Sequence, residues 1–263
     1  LTDVTGVQTC ALPICMDLAE TGAVARLILT GSYPAACGEK TRSVSVMSHP
    51  QFVAGVFRQL WKELGGTFNG GLREGILPAE ARLLARGESP ALAEVVRDIN
   101  KFSNNVMARQ LYLTLGAEAS KRPARGEDAE AAIHAWLAEK KMRMPELVIE
   151  NGAGLSRLNR ISADSLGRLL AAAFASPVMP EFIASLPLAG IDGTMRKRLN
   201  GNGVAGRAHV KTGYLEGVRA IAGYVLDRRG RRNIVVFMVN HHNAGASKAA
   251  QDALLTCVYE RTC

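Results

Sequence analysis

Three β-type runs separated by short glycine-containing turns occupy the last third of the sequence. They cover residues 208–212, 218–226 and 233–240. Consecutive strands with short connections pair in an antiparallel way. Because helical patterns stand before and after these runs, we predict an antiparallel sheet packed against helices.

Apolar residues at helical spacing mark the rest of the chain, and glycine, proline and capping residues mark where the helices end. Ser103-Asn104-Asn105 interrupts one helical region, because these residue types favour turns and caps over helix interiors. Strands are predicted over 24–30 and 147–149. The predicted helices cover residues 52–64, a stretch with Ser89 as N-cap and Pro90 as first helical residue, a stretch from 107 to a stop at Gly116, residues 129–137, a stretch behind the N-cap Ser162, and residues 247–259.

The composition excludes several classes of protein. Hydrophobic residues make up 48% of the 263 residues and charged residues 21%, so the chain is neither disordered nor collagen-like. No apolar run approaches the ~20 residues that a membrane-spanning helix needs. We therefore expect a globular protein with no transmembrane segment in this chain.

The chain is basic, with 32 Lys and Arg against 24 Asp and Glu and a net charge of +8. Such a balance raises the question of nucleic-acid binding. The basic residues are scattered except at 228–232, where four arginines flank Gly230 between two β-type runs, and this pattern favours a solvated hairpin turn. Since the sequence also lacks aromatic interleaving and any recognised nucleic-acid motif, we expect no nucleic-acid partner.

The first fifteen residues do not behave like the rest of the chain. They lack the features of a signal peptide and any periodicity, and the string VTGVQTCALPI resembles translated sequencing adapter. The sequence also does not begin with Met. We expect residues 1–15 to be non-native and the reading frame to be truncated.

The five cysteines show no metal-binding spacing. Two of them, Cys10 and Cys15, fall in the excluded segment. A disulfide among the other three is compatible with an oxidising compartment, but the sequence does not choose a pair. These three are Cys37, Cys257 and Cys263.

Lys211-Thr212-Gly213 stands at the end of a predicted strand. An ammonium, a hydroxyl and a missing Cβ in a row on an edge strand form a ledge that can bind a carboxylate. Ser103-Asn104-Asn105 has two interpretations, a plain turn between helices or a group of polar side chains that point into a cleft. Ser-Asp-Asn and Lys-Thr-Gly elements belong, with Ser-x-x-Lys, to the signature of penicillin-binding proteins and serine β-lactamases, and two of the three are present here in order.

Longer strings strengthen this resemblance. From about residue 32 to 260 the sequence resembles the D-alanyl-D-alanine carboxypeptidase/endopeptidase family, the class C low-molecular-mass penicillin-binding proteins. The strings that carry the resemblance are ESPALAEVVRDINKFSNNVMARQLYLTLG, ENGAGLSR, ISADSLGRLL, GIDGTMRKRL and AGRAHVKTGYLEGVRAIAGYV.

The resemblance implies a fold and a set of site residues. The fold is an αβα sandwich with an antiparallel sheet, as in penicillin-binding proteins and serine β-lactamases. Ser103 would relay protons and Asn105 would hold the substrate amide. Lys211 and Thr212 would grip the terminal carboxylate, Gly213 would permit close approach, and the backbone N–H of Tyr214 would be one oxyanion-hole donor.

The sequence departs from the family pattern in one respect that matters most. Ser-x-x-Lys, which supplies the family's nucleophile, occurs nowhere in the 263 residues. We therefore expect residues 16–40 to be the tail of the family's inserted region and residues 41–263 to be the C-terminal part of the penicillin-binding domain. Tyr214 replaces the usual Thr or Ser after Lys-Thr-Gly, and Asn104 stands where Asp is frequent.

The resemblance also implies a function for the parent protein. It would be a periplasmic serine-type carboxypeptidase or endopeptidase that acts on peptidoglycan stem peptides through an acyl-enzyme, without metal or cofactor, and β-lactams would inhibit it. The chain alone is expected to be inactive. A non-catalytic relative that binds peptidoglycan or β-lactams is the alternative.

Overall fold

The computed structural model describes residues 15–21, 24–33, 44–201 and 203–263. The chain divides into two compact units, Leu1–Arg86 and Gly87–Cys263. The assignment of residues 1–15, 16–40 and 41–263 stays a prediction.

Among its described residues, the first unit contains a hairpin and one helix. Strands β1 (Cys15–Thr21) and β2 (Val24–Thr30) pair in an antiparallel way, and β2 confirms the predicted strand. Helix α1 (His49–Glu63) begins with a capping box, in which Ser48 and Gln51 each accept a hydrogen bond from the other's backbone N–H. Strand β1 was not predicted.

The second unit contains six helices and three strands among its described residues. Its order is helices first, then the sheet, then a closing helix, as the sequence predicts. The elements are α2 (Leu92–Phe102), α3 (Asn105–Ser120), α4 (Gly126–Glu139), α5 (Ala163–Phe174), α6 (Met179–Ser185), β3 (Ala208–Leu215), β4 (Val218–Leu226), β5 (Arg232–Asn240) and α7 (Lys248–Glu260).

The three strands form an antiparallel sheet in the order β3-β4-β5, which confirms the prediction for residues 208–240. The predicted hairpin between β4 and β5 is also present, and its arginines are exposed. The sequence analysis missed the group that orders this turn, the buried carboxylate of Asp227. One of its oxygens accepts the backbone N–H groups of Arg229 at 2.9 Å and Arg231 at 2.8 Å.

Helices cover both faces of the sheet. On one face, Ile221 and Val225 of β4 pack in a buried cluster with Leu255 of α7. On the other face, Tyr224 of β4 packs with Leu170 of α5, and its hydroxyl donates to the Leu170 carbonyl at 2.6 Å. Alternation of side chains along β4 thus builds a three-layer arrangement, with the sheet between helices.

Two predicted helix boundaries were wrong. Ser89 does not cap α2, since its hydroxyl donates to the Pro90 carbonyl and the N-cap is Ala91. Gly116 does not end α3, which continues to Ser120. A Cβ on Gly116 would lie 2.6 Å from the backbone nitrogen of Ala129, so this glycine allows α4 to approach α3.

Two further predictions concern local features. The strand predicted over 147–149 is reduced to an isolated bridge between Val148 and Arg160. A disulfide joins Cys257 in α7 to Cys263, whereas Cys10 and Cys37 lie outside the described residues. Within the described ranges, no helix is long and apolar enough to span a membrane.

Candidate active site

The outer edge of β3 is covered in its first half and open in its second. Val210 donates its N–H to the Pro187 carbonyl, and the Ala208 carbonyl accepts the N–H of Ala189, both at 2.9 Å. Among the described residues, no segment pairs with this side of β3 beyond Val210. Peptide groups of alternate residues point the same way along a strand, so those of Thr212 and Tyr214 point away from β4 into this opening.

Ser103 and its two neighbours connect α2 to α3. Ser103 ends α2 in the left-handed conformation, with φ 52° and ψ 48°. Asn104 is the N-cap of α3, and its side chain accepts the N–H of Met107 at 3.1 Å. Asn105 is the first residue of α3. The tripeptide therefore connects two helices, and its residues also line a cleft. The two interpretations of the sequence are thus compatible.

Lys211 lies across from this connection. Its ammonium donates to the Ser103 hydroxyl and, at 3.0 Å, to the carbonyl of Thr212. Burial lowers the pKa of the Lys211 ammonium below its usual range, because a charged group loses water when it enters the protein. A lysine with a lowered pKa exchanges its proton more readily near neutral pH than an exposed lysine does.

All six predicted site residues line one cleft of about 570 Å³. The structure therefore brings together side chains that are about a hundred residues apart in the chain. Their chemical roles stay predictions. The six residues are Ser103, Asn105, Lys211, Thr212, Gly213 and Tyr214.

The cleft also contains residues that the sequence analysis did not single out. The hydroxyl of Thr194 lies 3.2 Å from that of Thr212, so two hydroxyls stand side by side in the cleft that Lys211 also lines. Gly152, Ala153, Gly154 and Leu155 form another wall. Both segments lie within strings that carried the family resemblance, GIDGTMRKRL and ENGAGLSR, and this was the only signal that could have identified them.

Gly152 shows why the wall has its shape. Its φ is +68°, and a Cβ there would lie 2.4 Å from the Cβ of Tyr112. The Tyr112 hydroxyl in turn lies 2.9 Å from the Gly126 carbonyl and 3.1 Å from the Ile149 carbonyl. The glycine thus lets the turn lie directly on a buried tyrosine that ties it to α4.

Tyr214 and His209 flank the lysine on β3. The Tyr214 ring is exposed, and the guanidinium carbon of Arg219 lies 3.8 Å from its centroid. His209 is partly buried and contacts the Ile183 carbonyl through Nδ1 at 3.1 Å. Burial, together with the charge of Arg232, lowers its pKa. His209 thus connects β3 to α6 through a backbone carbonyl.

Comparison with known proteins relates this chain to a family. A family model described as the D-Ala-D-Ala carboxypeptidase 3 (S13) family matches residues 7–260. A D-alanyl-D-alanine carboxypeptidase of Actinomadura sp. strain R39 is 31% identical over 237 residues, which are 87% of this chain and 44% of the relative. DacB of Haemophilus influenzae is 26% identical over 205 residues, 77% of this chain and 43% of the relative. The chain thus spans less than half the length of these two curated relatives.

A solved structure shows the fold. Penicillin binding protein 4 (dacB) from Haemophilus influenzae, complexed with a novel β-lactam, matches with a TM-score of 0.76 and 23% identity. The match covers 95% of this chain and 59% of that chain. The second unit, with its antiparallel sheet between helices, therefore has the fold that the sequence analysis predicted.

Proposed function

Because this chain belongs to the S13 family of D-Ala-D-Ala carboxypeptidases, we propose that it carries part of the active site of a serine-type D-Ala-D-Ala carboxypeptidase or endopeptidase of peptidoglycan. The observation that carries the proposal is the contact between Lys211 Nζ and Ser103 Oγ, which are 108 residues apart in the chain. This contact lies in a cleft beside an open strand edge.

The cleft has the groups that a peptide with a free carboxylate requires. The open edge of β3 offers backbone N–H and C=O groups to an extended stem peptide, which adds to the sheet as a strand. The Lys211 ammonium and the hydroxyls of Thr212 and Thr194 supply charge and hydrogen bonds for the terminal carboxylate. This arrangement favours a substrate that ends in D-Ala over one that lacks a free carboxylate.

Lys211 and Ser103 would transfer the proton in this reaction. In acyl transfer, a serine loses its hydroxyl proton as its oxygen bonds to the carbonyl carbon between the two D-Ala residues. The C–N bond to the terminal D-Ala breaks as the leaving nitrogen takes up a proton. Ser103, in contact with the Lys211 ammonium, can pass that proton. The Tyr214 N–H, directed into the cleft, would be one donor to the oxyanion. The nucleophile itself would come from a Ser-x-x-Lys segment outside these residues.

The proposal also covers the cellular compartment and the inhibitors of the protein. We propose that the protein works in the periplasm, because disulfides such as Cys257–Cys263 persist in oxidising compartments. The Haemophilus influenzae protein was crystallised with a β-lactam. We propose that β-lactams, which also present a carboxylate beside a reactive carbonyl, inhibit this protein at the same cleft.

Release of D-alanine from a D-Ala-D-Ala peptide tests the proposal. The protein for this experiment is the complete gene product, expressed with its upstream coding region. We expect it to release D-alanine, and we expect Lys211→Ala to lower kcat/KM by at least 10²–10³, the loss typical of removing one preorganised electrostatic group. Lys248→Ala, at an exposed position at the start of α7, is the control and should leave the rate unchanged.

Two results would contradict the proposal. If Lys211→Ala released D-alanine at the normal rate, the cleft would not be the site. If the folded complete product bound β-lactams reversibly and released no D-alanine, the alternative of a non-catalytic relative would stand.

A further inference from the structure

Lys101 lies two residues before Ser103, in the last turn of α2, and it is not a surface lysine. Its ammonium contacts both carboxylate oxygens of Asp192, at 2.7 and 2.9 Å, and the Leu186 carbonyl at 2.7 Å. Its side chain is only 12% exposed. Since an ammonium has three hydrogens to donate, these three contacts use all of them.

Asp192 is held in place from the other side. Its Oδ1 also accepts the backbone N–H of Leu188 at 2.8 Å. Leu188 belongs to the short segment 187–189 that covers the first half of β3 through Pro187 and Ala189. A continuous set of contacts therefore runs from the end of α2 to the strand that carries Lys211.

Two more contacts hold the end of α2 against residues on either side of this segment. The Asn100 amide donates to the Ser185 hydroxyl at 2.8 Å. Gly193 lies so close to α2 that a Cβ there would be 2.6 Å from the Lys101 carbonyl oxygen. The last turn of α2 is thus held at three points against residues 185–193, part of which covers the first half of β3.

Ser103 depends on this position because it is the residue at which α2 ends. We propose that the Lys101–Asp192 pair is a positioning device, which fixes the end of α2 against β3 and thereby holds the Ser103 hydroxyl against Lys211. The pair itself does not line the cleft among the described residues. This inference rests on the proposed function for its meaning in catalysis, but the geometry that it describes is measurable without activity.

Nuclear magnetic resonance of the 263-residue chain tests the inference. The pKa of Lys211 is read from the ¹³Cε signal of labelled lysines, and that signal is identified by its loss in Lys211→Arg. In Lys101→Met and Asp192→Asn, the end of α2 moves away, water reaches Lys211, and its pKa rises toward the usual range. We expect a fall of about tenfold in its acid dissociation constant in both variants.

The two variants separate positioning from a direct charge effect. Removal of the Lys101 charge alone would raise the pKa of Lys211, whereas removal of the Asp192 charge alone would lower it. A positioning role predicts that the pKa of Lys211 rises in both variants. Lys101→Arg, which keeps a cation in place, should leave the pKa of Lys211 close to its value in the unsubstituted chain.

A matched control separates positioning from general loss of stability. Arg198 pairs with Asp252 of α7 at 2.6 Å, and its side chain is also 12% exposed. Arg198→Met should lower the melting temperature without a change in the pKa of Lys211. Shifts of opposite sign in Lys101→Met and Asp192→Asn, or no shift in Asp192→Asn, would overturn the inference. Failure of D-alanine release by the complete gene product would instead overturn the proposed function, because the pKa measurement does not depend on turnover.

Discussion

Ser103 adopts a backbone conformation that side chains rarely adopt. Its φ of 52° lies in the left-handed region, which costs a residue other than glycine roughly 1–2 kcal/mol. Glycine would remove that cost but would also remove the hydroxyl that accepts from Lys211. Strain of this kind persists where surrounding contacts fix it, and it is common at functional sites. A serine at such a position is consistent with a role for its hydroxyl.

Gly213 offers a residue-scale prediction, because the fold itself does not require a glycine there. A Cβ at this position would lie 3.4 Å from the Ala220 Cβ, an ordinary contact. Gly213→Ala should therefore change the free energy of unfolding by less than about 0.5 kcal/mol. In the complete gene product it should slow acylation by penicillin about 10²-fold, because the added methyl displaces the bound ligand from the strand.

Gly223→Ala is the contrasting variant. Its φ is +151°, and a Cβ there would lie 2.1 Å from the His209 carbonyl oxygen, which is backbone and cannot turn away. This variant should lose several kcal/mol of stability, in the upper range for single substitutions. Chemical denaturation measures the free energy of unfolding of the Gly213→Ala and Gly223→Ala variants. Equal destabilisation by the two substitutions would show that Gly213 serves the fold rather than a ligand.

The break between α2 and α3 is the element that places Ser103 and Asn105 at the cleft. Asn104 fixes where α3 begins, since its side chain accepts the N–H of Met107. We expect Asn104→Ala to lower the free energy of unfolding by about 1 kcal/mol. Asn104→Asp should retain the stability, because a carboxylate is an equally good cap and favours the positive end of a helix dipole.

Urea unfolding of both Asn104 variants provides the measurement. If Asp destabilised the chain as much as Ala does, capping would not be the role of this side chain. The expected tolerance of Asp agrees with the Ser-Asp-Asn form of this motif.

The elements that could be predicted from the sequence are those with strong local signals. Runs of β-type residues joined by short glycine turns predicted β3, β4 and β5, and Ser162 correctly predicted the start of α5, where it accepts the Ser165 N–H. Gly116 was misread because its requirement is tertiary, a close approach of α4, and not a helix stop. Local sequence patterns do not record such contacts.

The site shows the same division between local and tertiary signals. Lys211 and Ser103 could be predicted because each belongs to a short motif. Thr194 and the Lys101–Asp192 pair belong to no such short motif, and their partners lie 18 and 91 residues away in the chain. Only the folded structure brings such pairs together.

In the whole molecule, the cleft contains all six predicted site residues but no Ser-x-x-Lys motif. The 263 residues contain no Ser-x-x-Lys, and the chain spans 44% of the Actinomadura relative. Covalent catalysis needs a nucleophile within hydrogen-bond reach of its base. Ser103 accepts from Lys211 at the end of α2, and in our account it relays protons and does not attack.

Mass spectrometry after incubation with penicillin tests this central claim most directly. The 263-residue chain should show no covalent adduct, whereas the complete gene product should gain one penicillin on a serine encoded upstream, and Lys211→Ala should abolish or severely reduce that gain. A stoichiometric adduct on Ser103 of the 263-residue chain would contradict the account, because it would show that Ser103 is itself the nucleophile.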